Sequence, residues 1–373
     1  MNKAPSHPIL SRRDFLKLLA TAGVTTAGGH LLYTYAPWLN YDQATSHIWK
    51  PFEMGSTSSV QMRELIRYAT LAANGHNTQP WKFAIKENVI EIHPDYARHL
   101  SVVDPNDREL WISLGCALEN LLEAARAAGY APEVTYPDAV DFIHVRLIPD
   151  NPQSNPLFKA IPLRQNTRSE YNGGLIKRDD LDKVLALPLE PGVVLRFALN
   201  PTDMETILEY VNQGNLSQYA DEAFLDELIS WLRFNKKEAL SSFDGLYSRC
   251  SGNPEVPRWL GQMFVAGTKP RQQADADARK FRSSPSAVVI ASESDDKAAW
   301  VRTGQVYERL ALTLTSLNIK SAFLNQPIEV ADLRSQFQSA IGLGESLPQL
   351  LVRFGYADPM PRSLRRSVEQ VII

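Results

Sequence analysis

The chain has little of what covalent or metal-centred chemistry needs. Among 373 residues there are only two cysteines, Cys116 and Cys250, and they form no Cys-x-x-Cys pair. No His-Glu-x-x-His is present either, so neither a zinc site nor a dithiol redox centre is indicated, and no protein-bound metal is expected. The seven histidines are scattered. The sequence contains no Gly-x-Ser-x-Gly, and no Gly-x-Gly-x-x-Gly opens a helix after a strand, so hydrolase and dinucleotide-fold readings lack their signatures. A bulk charge of one sign is also missing. A net charge of −3 without blocks of like charge leaves no basic footprint for nucleic acid. What is abundant is apolar content: 44% hydrophobic residues can supply the cores of two ordinary domains.

The first forty residues read as an address. Ser11-Arg12-Arg13-Asp14-Phe15-Leu16-Lys17 precedes a mildly apolar, glycine-rich run from Leu18 to Leu32. The stretch resembles the twin-arginine export signal, which implies passage through the twin-arginine translocase to a periplasmic or other extracytoplasmic location. No clean Ala-x-Ala site follows, so a cut near Tyr35-Ala36 and an uncleaved membrane anchor both stay open. Residues 41–58 read as a linker. A first half follows over 59–150 and a second over 156–373.

In the first half, apolar residues at helical spacing run from Leu65 to Ala73 and stop at Asn74-Gly75. Lys82 to His93 alternates like a hairpin around Glu87-Asn88, and Val134 and Phe142 to Leu147 have strand character. In the second half the spacing predicts a helix over 178–187, strands over 193–199, 287–291 and 350–355, and an insertion at about 203–282. The insertion carries Trp231, Phe234, Tyr247, Trp259 and Phe264. Two readings of it stand side by side, a lid over a site and another packed layer.

An internal repeat ties the halves together. Asp107-Arg108-x-x-Trp111-x-x-x-Gly115-x-x-x-Glu119-x-Leu121 recurs as Asp296-Lys297-x-x-Trp300-x-x-x-Gly304-x-x-x-Glu308-x-Leu310, at a constant offset of 189 residues. Both copies read as long helices, and the glycine one turn after the tryptophan admits a close backbone crossing. The architecture this predicts is α+β, two similar halves in tandem, as if a dimer had been fused.

Two short motifs carry the chemistry. Asn77-Thr78-Gln79-Pro80-Trp81 offers two amide side chains, with a proline that forbids helix and turns the tryptophan inward. Arg164-Gln165-Asn166-Thr167-Arg168 places two guanidinium groups four residues apart around a short polar side chain, the donor pattern of a phosphate grip. Together they resemble the FMN-dependent nitroreductase family, in which an Asn-x-Gln-Pro-Trp loop approaches the flavin ring and an Arg-x-Ser-x-Arg motif binds phosphate. Asn166 stands where that family usually has serine, and the order of the two motifs is reversed. The complementary motifs, one per half, resemble in particular the two-half, Acg-like subfamily, whose halves form an internal pseudo-dimer with a nitroreductase-like fold.

That resemblance implies FMN as cofactor and one site per chain at the interface of the halves. Asn77 and Gln79 would tune the ring, Trp81 would brace their loop in the cofactor site, and Arg164, Asn166 and Arg168 would hold the phosphate. Gln326, in Leu324-Asn325-Gln326-Pro327, stands where the family brings a loop near the flavin; a plain turn is the other reading. Pro361 to Arg366 resembles the family's late basic motif, making Arg365 and Arg366 further candidates. No catalytic side chain is expected, because flavin N5 carries the hydride. A small electron-poor acceptor is implied, and the donor is left open with NAD(P)H as the candidate. The alternative is a protein that holds or stores FMN without turnover.

Overall fold

The computed structural model describes residues 40–52, 57–137 and 140–373. The twin-arginine-like stretch and the apolar run after it lie outside the described residues. The fold is α+β and contains two four-stranded antiparallel sheets. The first holds β1 (Trp81–Lys86), β2 (Val89–Pro94), β3 (Tyr130–Thr135) and β4 (Ile143–Pro149), in the order β1-β2-β4-β3. The second holds β5 (Val193–Ala198), β6 (Ser286–Ser292), β7 (Lys320–Phe323) and β8 (Leu347–Gly355), in the order β5-β6-β8-β7. Numbered from its own first strand, each sheet therefore has the same order. Each also sends one 20-residue helix, Arg108–Ala127 or Lys297–Ser316, across between its second and third strands.

These two helices are the repeated segments, and they cross at the glycines. A Cβ built on Gly115 would lie 2.0 Å from the carbonyl oxygen of Val301, and one on Gly304 would lie 2.0 Å from that of Ile112. Since 112 and 301 are also 189 apart, the two contacts are images of one another. Backbone meets backbone, and only glycine leaves room for it. From Arg108 to Ala125 the first helix is buried throughout, and it joins the inner faces of both sheets in one core that includes Trp81, Phe83, Trp111, Leu114, Val306, Leu310 and Val352.

The halves differ most at their first hairpin. Between β1 and β2 the chain turns on Glu87-Asn88, with Glu87 at φ 52°. At the corresponding place between β5 and β6 lie residues 199–285. Helices Pro201–Gln218 and Pro270–Arg282 pack on the outer face of the second sheet around Val211, Phe281, Val289 and Leu351, forming a separate small core. The remainder, from Glu222 to Ala266, carries the helices Glu222–Trp231, Lys236–Ser242 and Arg258–Ala266 and a short parallel pairing of Leu232–Arg233 with Leu246–Tyr247.

The reading of 41–58 as a plain linker is corrected. Tyr41–Ile48 is a helix capped by the Asn40 side chain, which accepts from Gln43 N. Its Tyr41 is buried, packs with its ring centroid 4.5 Å from that of Tyr247 in a tilted pair and donates to Arg362 O at 2.7 Å. Only eight residues long, this helix has too few turns for periodicity to announce it. The far end of the chain also returns to the first half: Ile372 bridges Phe83, and Ile373 N donates to Phe83 O at 2.9 Å.

Candidate functional site

The loop after helix Ser58–Thr70 is unusual backbone. His76, Asn77 and Gln79 all have positive φ, at 47°, 55° and 54°. Left-handed conformation is sparsely occupied by residues other than glycine, so three in four positions must be held by outside contacts. Asn74 Oδ1 accepts from Gln79 N at 2.9 Å, and Arg98 donates to Thr78 O at 2.9 Å. The Asn77 amide donates to Gly245 O and Leu364 O and accepts from Arg365 at 2.7 Å. Gln79 donates to Phe243 O and accepts from Arg366 N, both at 2.8 Å.

This corrects the expectation that both amides face a flat ligand. Their hydrogen-bonding groups join the loop to two remote segments, 243–245 and 364–366. Gln79 and Trp81 are wholly buried and do not line the cleft described below. Asn77 lines it with its polar atoms already partnered.

The cleft lies between the halves as two adjoining chambers that share Ala73, Asn74, Asn166, Arg168, Leu246 and Phe323. The centre of a water molecule can reach about 130 Å³ of one and about 70 Å³ of the other. On that measure one water takes about 10–15 Å³, so there is room for an elongated small molecule and none for a macromolecule.

One chamber is strongly cationic. Arg164, Arg168, Arg362 and Arg365 all line it. Arg164 is committed elsewhere: its Nε lies 2.8 Å from Glu308 Oε1, and its Nη2 donates to Leu71 O. Arg365 meets carbonyl, amide and hydroxyl oxygens, among them Thr70 O, Ala72 O and Ser363 Oγ, and no carboxylate among the described residues; burial and then Arg164 pull its pKa down to about 9. Arg362 donates to Pro162 O and Leu163 O and lies over the Trp49 ring. Arg168 has neither a hydrogen bond nor an ion pair among the described residues, and burial depresses its pKa. Beside it, Asn166 Oδ1 is buried without a partner. Neutral carbonyls orient a guanidinium but do not cancel its charge, so this chamber calls for an anion.

Of the other sequence-derived candidates, Gln326 and Arg366 line neither chamber, which corrects both. Gln326 packs against Gly214 and donates to Asp277 at 3.2 Å, because it opens the short helix Gln326–Glu329 that lies on the insertion. Arg366 donates to Gln79 O and Trp81 O and pairs with Asp95, supporting the loop from behind. The structure thus brings Arg164, Asn166, Arg168, Arg365 and Asn77 together and leaves Gln79, Trp81, Gln326 and Arg366 outside.

The other chamber contains residues that sequence reasoning passed over: His76, Glu109, Cys116, Asn325 and Glu329. Glu109 is buried and sits with Arg108 at 3.0 Å; burial and then Glu329 raise its pKa well above the usual carboxyl range. Burial raises Glu329 as well. The pair therefore favours keeping a proton. His76 is pushed down to about 4 by burial and then by Arg168, so it is neutral at pH 7. His76 immediately precedes the loop motif, and Arg362 stood inside the basic motif. The two glutamates carried no sequence signal, because their elements meet only in the fold.

The insertion's outer helices form a packed layer, while Gly245, Leu246, Tyr247 and Cys250 line the cleft.

No family model matches this sequence. It is 28% identical over 324 residues to "Putative NAD(P)H nitroreductase Rv3131" of Mycobacterium tuberculosis, covering 83% of this chain and 90% of that one. It is 22% identical over 326 residues to "Putative NAD(P)H nitroreductase acg" of the same organism, covering 83% and 94%. Among solved structures, an FMN-bound nitroreductase from Bacteroides fragilis overlaps with a TM-score of 0.35 at 17% identity, covering 57% of this chain and 96% of that one. The nitroreductase NfnB from Mycobacterium smegmatis, in complex with NADPH, gives 0.36 at 13% identity, covering 56% and 94%.

Proposed function

We propose that this chain is an FMN-dependent oxidoreductase of the nitroreductase type, built as an internal pseudo-dimer with one flavin site in the cleft between its halves. The observation that carries the reading is Arg168, a guanidinium unpaired among the described residues, in a chamber lined by three more guanidinium groups and by no carboxylate; of the four, only Arg164 is paired with a buried carboxylate, Glu308. Such a site fits a phosphate ester better than any neutral ligand. Arg168, Arg362 and Arg365 would hold the phosphate, and Asn166 Oδ1 offers an unmet acceptor to a ligand hydroxyl. The names of the two mycobacterial relatives support the same chemistry. Bound FMN supplies two-electron reduction and reoxidation, which no side chain in the cleft provides. The chain's residues neutralise the anionic end, exclude bulk water with segment 243–250, and present a neutral His76 and a proton-retaining glutamate pair at the opposite end.

The electron donor in this reading is NAD(P)H, and the acceptor is a small electron-poor molecule. Export by the twin-arginine route is the accompanying proposal, resting on Ser11 to Lys17. It predicts that Arg12→Lys with Arg13→Lys keeps the chain inside the cell in a fractionation assay.

A second reading, FMN held without turnover, is favoured by Leu246 and Tyr247 of the insertion taking up part of the cleft wall that an acceptor would need. One experiment separates the readings. The natively purified protein should show a flavin absorption band, with about one FMN released per chain. NAD(P)H should bleach it, and a nitroaromatic or quinone should restore it. A flavin that binds but never bleaches supports storage. A colourless protein that takes up no FMN overturns both.

A further inference from the structure

Away from the cleft, helix Arg258–Ala266 in the insertion is packed on one side only. Gly261 is pressed against the Phe234 ring, so closely that a Cβ there would lie 2.1 Å from a ring carbon. That contact fixes which way the helix faces. At 100° per residue, Trp259, Leu260, Met263 and Phe264 fall on an arc of about 140° centred away from Gly261. The exposures agree: Trp259 is 58% exposed and Met263 and Phe264 are each 62% exposed. Large apolar side chains exposed singly are ordinary, but three on one short helix form a patch that calls for a partner.

The charges on the patch's own stretch of chain indicate which partner. No acidic residue occurs between Glu255 and Asp275, whereas Arg258, Lys269 and Arg271 do. Arg258 is used internally against Glu238. Lys269 and Arg271 are exposed just beyond the helix, and neither side chain makes an ion pair or hydrogen bond among the described residues. A tryptophan, a phenylalanine and a methionine above free cations match the two halves of a bilayer interface, with acyl chains for the rings and anionic headgroups for the ammonium and guanidinium groups.

We propose that helix Arg258–Ala266 docks the folded chain on an anionic lipid surface, with Trp259, Met263 and Phe264 entering the interface and Lys269 and Arg271 meeting the headgroups. This goes beyond the flavin reading and does not depend on it.

The test uses the full chain, with a polarity-sensitive fluorophore on Met263→Cys; Cys116 and Cys250 are buried and will not compete. Vesicles of phosphatidylcholine with a quarter phosphatidylglycerol should shift the emission to the blue. A label on exposed Asp182→Cys should not respond, which separates docking through this helix from attachment through residues 1–39. Replacing Trp259, Met263 and Phe264 by serine should weaken vesicle sedimentation about tenfold or more, and reversing Lys269 and Arg271 to glutamate should abolish the preference for phosphatidylglycerol. An unshifted Met263→Cys label on anionic vesicles at low salt overturns the proposal. So does a shift that follows protein concentration without lipid, which would make the patch a contact between copies.

Discussion

The two halves place the same glutamate at the same point of the crossing and neutralise it differently. Glu119 and Glu308 are 189 residues apart, as the repeat requires. Glu119 receives two hydrogen bonds from Arg309, at 2.7 and 3.0 Å. The residue equivalent to Arg309, at 309 minus 189, is Asn120, which cannot cancel a charge. Glu308 is instead met by Arg164, brought in from a loop at 2.8 Å, and by Ala73 N at 3.2 Å. The difference teaches that Arg164 belongs to the repair of a broken symmetry. Arg168, four residues on, has no such duty and is free for a ligand.

The largest effect expected is at the crossing itself. Gly115→Ala and Gly304→Ala each drive a methyl into backbone, and each should cost about 3 kcal/mol or more or prevent folding; urea denaturation should show the two to be similar. A harmless Gly304→Ala would mean the halves are not interlocked there. Next, Arg164→Met strands a buried carboxylate and should cost about 3 kcal/mol, with part restored by Glu308→Gln in the double variant. Arg168→Ala should leave the denaturation midpoint unchanged or slightly raised, yet weaken FMN binding about 10–100-fold by calorimetry. Equal stability losses at the two arginines would erase the distinction drawn between them.

The smallest effect concerns pH. His76 is neutral in the folded chain down to about 4, whereas unfolded histidine titrates near 6.5. The unfolded state therefore binds more protons in that window, and stability falls as pH drops from about 6.5 toward 4. Because the ring faces the cleft, about 1–2 kcal/mol is expected. His76→Asn, which tolerates the left-handed backbone, should remove that slope between pH 7 and 4.5.

What the sequence disclosed follows from how local each signal is. The crossing helices were legible because tryptophan, glycine and glutamate recur at a fixed offset, and the strands because alternation is read within a few residues. Arg168 could be found for the same reason. The loop was misread at Asn77 and Gln79 because their partners lie at 243–245 and 364–366, and nothing within Asn77 to Trp81 reveals that the amides are already engaged. Gln326 was misplaced because the glycine it packs on belongs to the insertion. The glutamates of the second chamber, on elements more than two hundred residues apart in sequence, carried no pattern at all.

The return of residues 365–373 to the first half bears on the order in which the protein can be made. Arg365 holds Thr70 O across 295 residues, Arg366 holds Gln79 O across 287, and Ile372 extends the edge of the first sheet at Phe83. A nascent chain that has emerged through Pro149 has every strand of that sheet but lacks the clasp on its left-handed loop. The first half is therefore completed only once residues 364–373 are available to it, which makes its last contacts the most distant ones in sequence.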